Sequence, residues 1–276
     1  MGDLTRIGAN IQALQALSSL NKTNTKIAIH QMRLATGKRI NSAAEDPAGY
    51  QIAKSLEARG RGLQAALSNV GSARNVLNIA EGGYQTIMDL LQTMKEKATQ
   101  AADGSFSDSQ RSALDNQVTA LILEVEDIVG ETTFNGLYLI NGSKAITGIK
   151  FHTGTGSDDT LEVKLSNADS SALSISTVDL TTAAGASAAI DSVDSAIVTL
   201  STAIQKVGEY QTRLSAKEEN LATAIANTEN ARSLIEDADF AAEQMEVMKL
   251  QIIQQTALSA LAQANQQPQV ILSLFQ

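Results

Sequence analysis

Cysteine and tryptophan are absent from this sequence, and proline and aromatic residues are scarce. The chain of 276 residues contains no Cys, two Pro and only 3% aromatic residues. The missing thiols exclude disulfides, thiolate metal sites and a cysteine nucleophile. Since 43% of the residues are hydrophobic, a core is still possible, built from aliphatic and small side chains. This composition favours long packed helices over a compact enzyme with a shaped pocket.

An excess of cationic side chains is also missing. The formal net charge is −9, so we expect no nucleic acid as a bulk partner. No apolar run reaches the roughly eighteen residues that a membrane-spanning helix needs, so we expect no membrane insertion. The N-terminal residues, MGDLTRIGANIQAL, lack a basic region followed by an apolar stretch. We therefore expect no cleavable signal peptide, and any export must use a different route.

Motifs for catalysis or metal binding are scarce as well. The two histidines, His30 and His152, lie in different segments, and no zinc-protease motif, serine-hydrolase elbow, Walker loop or dinucleotide fingerprint occurs. Carboxylates cluster at residues 124–127 and 236–246, in helical patterns rather than in a tight metal-binding loop. We expect no enzymatic activity, no cofactor and no metal site. Both clusters are interpreted as solvated or subunit-facing acidic surfaces.

Apolar side chains recur every seven residues in two separate blocks. The first block has no charged residue at heptad positions a and d, and it predicts a helical rod of roughly 60 Å. The a and d positions of this block are Leu63, Ala66, Val70, Ala73, Leu77, Ala80, Tyr84, Ile87, Leu91, Met94, Ala98 and Ala101. In the second block the a positions are Ile190, Ile197, Ile204, Gln211, Glu218 and Ile225, and the d positions are Val193, Leu200, Val207, Leu214, Leu221 and Ile235. Each apolar stripe must be covered by another helix. The glycine pair Gly82-Gly83 is expected to soften the first rod locally.

Shorter elements are predicted between the two blocks. A third helix begins with a capping box from Ser107 to Gln110 and continues to about Ile128. The region 134–177 is rich in Gly, Ser, Thr and Asp, and its alternating strand at Leu161–Leu165 is expected to face a partner near residues 146–151. The fold class is therefore predicted as mainly α: a long antiparallel coiled coil or helical bundle with a small β-hairpin region.

Residues 37–47 contain signals for the end of one helix and the beginning of the next. Gly37 can end the first helix in a left-handed conformation. Ser42 and Glu45 are predicted to form a capping box. Asp46 is a suitable N-cap, and Pro47 is favoured at the first helical position. These residues predict a joint between two helices.

Both ends of the chain carry apolar stripes with little charge. The N-terminal stripe consists of Ile7, Ile11, Leu14 and Leu17. Residues 250–276 contain no charged side chain, and their apolar positions include Leu250, Ile253, Leu258, Leu261, Val270, Ile271, Leu274 and Phe275. An uncharged helix decorated with Gln is better suited to burial among other helices than to solvent. We expect these stripes to form a partner surface.

The charges near the two ends are of opposite sign. Residues 1–40 are basic and include Arg33 and Arg39, whereas the segment after residue 235 is acidic and includes Asp237 and Asp239. Contact between these segments, within or between subunits, is expected to set register more than affinity.

Four segments resemble signatures of bacterial flagellins. They occur in the family's order, and the similarity covers about residues 7–140 and 187–276. The segments are RINSAAEDPAG (39–49), FNG (134–136), ARSLIEDADFAAE (231–243) and LAQANQQPQVILSL (261–274). The resemblance implies a secreted, extracellular structural subunit that polymerises into the flagellar filament used for swimming.

The family's architecture implies a particular domain organisation for this chain. We expect an inner coiled-coil domain at residues 1–44 and 236–276, which becomes ordered on polymerisation. An outer helical domain is expected at residues 45–235, with the β-hairpin region at 134–177. The central region is too short for the large variable insert of many flagellins.

The resemblance also implies partners. They are further copies of the same subunit, an export chaperone, the export apparatus, the filament cap and hook-junction proteins. The polymerisation surface is expected to combine the terminal stripes with Arg33, Arg39, Asp237 and Asp239. The chaperone is expected near the C-terminus, on Ile252, Leu258, Leu261 and Leu272.

Two alternatives remain open at this point. One is a hook–filament junction protein, and the other is a surface flagellin homologue that binds glycans, although five Phe and four Tyr offer few stacking platforms. The run Leu91–Lys97 resembles a patch by which some flagellins are recognised by an animal immune receptor. It departs from that pattern at Thr93 and Lys97, so the resemblance leaves such recognition open.

Overall fold

The computed structural model describes residues 10–274, and the side-chain surroundings of residues 10–266. Its helices are α1 (Ile11–Thr36), α2 (Pro47–Ala102), α3 (Asp108–Glu131), α4 (Ser143–Thr147), α5 (Ala183–Glu236) and α6 (Phe240–Leu274). Its strands are β1 (Thr133–Phe134), β2 (Leu137–Tyr138), β3 (Ile149–His152) and β4 (Thr160–Val163), paired as two antiparallel hairpins. The predicted fold class is confirmed: long helices dominate, and a small β-hairpin region accompanies them.

The chain divides into two compact units. Unit 1 contains Met1–Gly60 and Asn227–Gln276, and unit 2 contains Arg61–Ala226. Helices α2 and α5 contribute residues to both units. The domain limits expected from the sequence, with boundaries at residues 44 and 236, stay a prediction.

The core of unit 2 lies along α2 and α5. Every a and d side chain predicted for the first heptad block, from Leu63 to Ala101, is buried. The two helices run antiparallel, since Arg74 pairs with Glu218 at 2.6 Å and Lys95 with Asp194 at 2.5 Å. These pairs are exposed and contribute little energy, so the apolar stripe holds the helices together.

The heptad register predicted for α5 is partly wrong. Its d positions from Val193 to Leu221 are buried, but the a positions Ile190, Ile197 and Ile204 are only half-buried. The residues just before them are buried instead, and they are Ala189, Ala196 and Ala203. The isoleucines still pack against the core, but the fully buried face is shifted towards these small alanine side chains, which let helices pack closely.

The shorter elements of unit 2 pack against this helix pair. The capping box of α3 is confirmed, because the Ser107 N–H donates to Gln110 Oε1 at 2.9 Å. Asn135 and Gly136 have φ values of 49° and 77°, as a tight hairpin turn between β1 and β2 requires. Strand β4 pairs with β3 so that Ile149 faces Val163, which confirms the predicted partner segment.

The joint between α1 and α2 is mostly as predicted. Gly37 ends α1 with φ 70°, and the Asp46 carboxylate accepts a hydrogen bond from the Gly49 N–H at 2.9 Å. The capping box expected for Ser42 does not form. The Glu45 carboxylate accepts instead from the Asn41 N–H at 3.1 Å, because residues 42–45 form a turn that places Glu45 before the helix rather than inside it.

Helix α2 is continuous through Gly82-Gly83, and the local softening expected there stays a prediction. A Cβ on Gly83 would lie 2.7 Å from Thr132 Oγ1 and 3.1 Å from Ile140 Cδ1, whereas one on Gly82 would meet nothing within 4 Å. Gly83 is therefore a point of close approach between α2 and the segment that follows α3.

The two glycines give a matched pair of substitutions. We expect Gly83→Ala to lower the free energy of unfolding by about 1–3 kcal/mol, because the methyl group overpacks the contact with Thr132. Gly82→Ala should be neutral or raise it by up to about 1 kcal/mol, because alanine favours the helix. Urea unfolding of both variants measures this difference, and equal stabilities would contradict the assignment.

Candidate assembly interface

Unit 1 pairs α1 with α6 in antiparallel orientation. Leu20 and Ile27 of α1 are buried, as are Val247 and Leu250 of α6. Gln254 Nε2 donates to Asn24 Oδ1 at 2.7 Å across the pair. Leu250 was predicted to contact other subunits, and the structure places it in the intramolecular core of unit 1.

Asn10 fixes the far end of this pair with both atoms of its amide. Its Oδ1 accepts from the Ala13 N–H at 3.0 Å and so caps α1. Its Nδ2 donates to the Ala264 carbonyl at 2.7 Å. Within α6 that carbonyl would normally accept from the residue four positions later, but Pro268 has no N–H. The side chain of Asn10 therefore satisfies a carbonyl that the proline leaves without a helical donor.

The predicted N-terminal stripe is exposed where the structure describes it. Ile11, Leu14 and Leu17 have exposed fractions of 38%, 72% and 44%. Ile7 lies outside the described residues. Three large aliphatic side chains thus face solvent along one helix of the isolated chain.

The predicted C-terminal stripe is exposed at some positions and buried or half-buried at others. Ile253 and Leu258 are exposed, Leu261 is half-buried, and Ile252, which was expected in the chaperone contact, is also exposed. Helix α6 includes the backbone of Val270, Ile271, Leu272 and Leu274, but the surroundings of these side chains lie outside the described part of the structure. Phe275 lies outside the described residues altogether.

Sequence reasoning missed the exposed residues at the beginning of α6. Phe240, Met245 and Met248 are exposed by 61%, 61% and 48%. Met245, Met248 and Ile252 follow the spacing of one helix face, which lies opposite the face of Val247 and Leu250. The helical spacing of these residues is present in the sequence, but the charged residues Glu246 and Lys249 lie between them and make the segment resemble a polar surface. We call Met245, Met248 and Ile252 the outer stripe.

The oppositely charged ends meet within unit 1. Arg33 contacts Glu243 at 3.4 Å and Glu45 at 3.9 Å. His30 Nδ1 lies 2.5 Å from Glu243 Oε2. These contacts join α1 to α6 and to the joint before α2, so they fix the register of unit 1.

The other predicted charged residues act at the turn between α5 and α6. The Arg39 N–H donates to the Glu236 carbonyl at 2.6 Å, and its guanidinium donates to the Ile235 carbonyl at 2.6 Å. Asp237 forms an isolated antiparallel bridge with Lys38. The Asp239 carboxylate accepts from the Ala241 N–H at 2.9 Å and caps α6. Contacts of these side chains with another subunit stay a prediction.

Glu236 is the most buried charged group of this turn. Its carboxylate accepts from Lys38 at 2.6 Å and from Arg232 at 2.5 Å. Burial raises the pKa of Glu236, but the hydrogen bonds from the two cations outweigh burial and hold that pKa below its ordinary value. The hydrogen bonds to Glu229 and then Glu236 raise the pKa of Arg232.

Unit 1 presents exposed apolar side chains on α1 and α6. Among residues 10–274, no helix is both long and apolar enough to cross a membrane. Within the same range no group of three or more His, Asp or Glu side chains is arranged to hold a metal ion. Long helices with exposed apolar stripes are typical of structural proteins that assemble through their helices.

Comparison with known proteins agrees with this class. The family described as the bacterial flagellin N-terminal helical region matches residues 7–145, and the bacterial flagellin C-terminal helical region matches residues 190–275. A flagellin of Listeria innocua is 32% identical over 98% of this chain and 99% of its own length. Flagellin FlaB1 of Treponema pallidum is 30% identical over the same shares of the two chains.

Solved structures show the same fold. A crystal structure of Bacillus cereus flagellin is 25% identical, with a TM-score of 0.51 over 56% of this chain and 88% of that chain. A putative flagellar hook-associated protein from Vibrio parahaemolyticus has a TM-score of 0.59 over 70% of this chain and 99% of that chain. Its identity is only 15%, so this likeness concerns the fold alone.

These matches span nearly the whole chain. The chain belongs to the bacterial flagellin family. It is a structural subunit of the flagellar filament, and the junction-type and glycan-binding alternatives are not favoured.

The lowered pKa of Glu236 predicts how unit 1 responds to acid. Because the pKa lies below the ordinary value of 4.5, the carboxylate stabilises the fold above about pH 4.5, and this contribution is lost as pH falls through the folded-state pKa. We expect Glu236→Gln to lower the free energy of unfolding by about 1–3 kcal/mol at pH 7. The difference from the parent chain should disappear in acid, as measured by urea unfolding at several pH values. A difference independent of pH would contradict the role of the charge.

Proposed function

We propose that subunits polymerise through the exposed apolar residues of unit 1. The outer stripe of α6 and the exposed residues Leu14 and Leu17 of α1 supply this surface. Each large aliphatic or thioether side chain stabilises a contact by about 1.5–3 kcal/mol when it is fully buried. Several such residues per subunit can offset the entropy lost when subunits associate.

The geometry of such a polymer follows from the kind of contact. A surface that binds a different surface of the next copy forms either a ring or an open helix, and an open helix has no fixed length. A filament subunit needs the open arrangement. The exposed residues lie on two different helices, and this supports contacts of one copy with more than one neighbour.

The domain division and the interface residues are part of the same proposal. We infer an inner domain at residues 1–44 and 236–276 that becomes ordered in the filament, and an outer domain at 45–235. Arg33, Arg39, Asp237 and Asp239 help to position the inner domain through the contacts described above. The protein has no catalytic role in this proposal.

Export and capture by a chaperone require an accessible C-terminal region. Ile252 and Leu258 are exposed by 66% and 50% in the isolated chain, which supports their use by an export chaperone before assembly. Leu261 and Leu272 are the further residues expected in that contact. Export without a cleavable signal peptide, and contacts with the export apparatus, filament cap and hook-junction proteins, follow from the family as expectations.

A charge placed on the outer stripe tests the interface. Ile252→Lys should fold normally, because the side chain is 66% exposed, but it should raise the critical concentration for polymerisation by about tenfold or more, because an unpaired charge would be buried. Gln251→Lys is the control, since it adds the same charge at the neighbouring position outside the stripe. Sedimentation of filaments across a concentration series measures both. Normal assembly of Ile252→Lys would refute the proposed surface.

Deletion of the C-terminal residues tests their contribution to polymerisation. Deletion of residues 261–276 should leave a folded, helical monomer that no longer polymerises, because unit 2 lies entirely outside the deleted segment. Circular dichroism reports the fold, and electron microscopy reports filaments. Filaments of normal appearance would contradict the assignment of this end to assembly.

A further inference from the structure

The methionines of this chain are unevenly exposed. Met94 is fully buried and Met88 is half-buried, and both lie in unit 2. Met32, Met245 and Met248 lie in unit 1 and are exposed by 51%, 61% and 48%. The thioethers of Met32, Met245 and Met248 are therefore open to reagents in solution, and that of Met94 is not.

Two of these methionines belong to the outer stripe. Met245 and Met248 lie on the same face of α6 as Ile252, and this face points away from α1. Leucine would supply a similar apolar surface and volume at both positions. Methionine differs chemically in one respect, because its sulfur can accept oxygen.

We propose that Met245 and Met248 form an oxidation site that controls polymerisation, an inference that rests on the proposed interface. Hydrogen peroxide transfers one oxygen atom to each thioether: its O–O bond breaks, a sulfur–oxygen bond forms, and one molecule of water is released per thioether. Sulfur loses two electrons and the peroxide gains them. The product, methionine sulfoxide, is polar and chiral.

Oxidation acts on the unassembled subunit. A sulfoxide oxygen buried in an apolar contact has no donor, so each one weakens association by about tenfold or more. In the filament the same thioethers are covered and react slowly. Subunits that are oxidised by peroxide before assembly therefore polymerise poorly, whereas subunits already in the filament are protected from oxidation. Enzymatic reduction of the sulfoxide restores the apolar surface.

The test begins with the full-length monomer and hydrogen peroxide. Peptide mass spectrometry over time should show Met245 and Met248 oxidised at least about tenfold faster than Met94. The same treatment of filaments should slow oxidation of Met245 and Met248 to a similar extent. Equal rates in monomer and filament would overturn the proposal.

Assembly is then measured after oxidation. Oxidised parent protein should show a critical concentration raised about tenfold or more. The critical concentration of the double variant Met245→Leu/Met248→Leu before peroxide serves as its own baseline, and peroxide should leave that value unchanged. Methionine sulfoxide reductases should rescue the oxidised parent protein. Met32→Leu is the matched control and should remain sensitive. Loss of assembly by the oxidised double variant, or normal assembly of the doubly oxidised parent protein, would overturn the proposal.

The two sets of variants distinguish an error in the oxidation site from an error in the interface. If Ile252→Lys blocks assembly but oxidation does not, the interface stands and the oxidation site is wrong. If Ile252→Lys assembles normally, the interface is wrong and the oxidation site loses its basis.

Discussion

The whole structure depends on one constraint: an apolar stripe on a long helix must be covered. In unit 2 the cover is intramolecular, and α2 contributes a complete row of buried side chains from Leu63 to Ala101. In unit 1 the cover is incomplete, because α1 and α6 bury few residues against each other and leave the outer stripe exposed. Unit 2 is thus stabilised by its own buried apolar residues, whereas unit 1 leaves apolar residues exposed, which we propose contact other subunits.

The long helices could be predicted because their periodicity is strong and uninterrupted. The rotation of α5 could not, because Ala189 and the isoleucine after it are both apolar, and only the distance between helix backbones decides which one is buried. The close approach at Gly83 could not be predicted for a similar reason. Its helix propensity is visible in the sequence, whereas the approach of Thr132 from a distant segment is not.

The same limit applies to the candidate interface. The exposed state of Leu14 follows from a stripe with no local partner, but the burial of Leu250 depends on which face of α6 meets α1. Met245 and Met248 were overlooked because neighbouring charges made that segment resemble a solvated surface. Charged residues beside an apolar stripe do not show that the stripe itself is solvated.

The hydrogen bond from Asn10 to the Ala264 carbonyl has a consequence for folding order. It joins residues 254 positions apart, and the contact of His30 with Glu243 spans 213 positions. Closing so long a loop in an unfolded chain is entropically unfavourable, and prior folding of unit 2 shortens the effective loop. We therefore expect the contacts between α1 and α6 to form after unit 2 has folded, whether in the free subunit or on assembly.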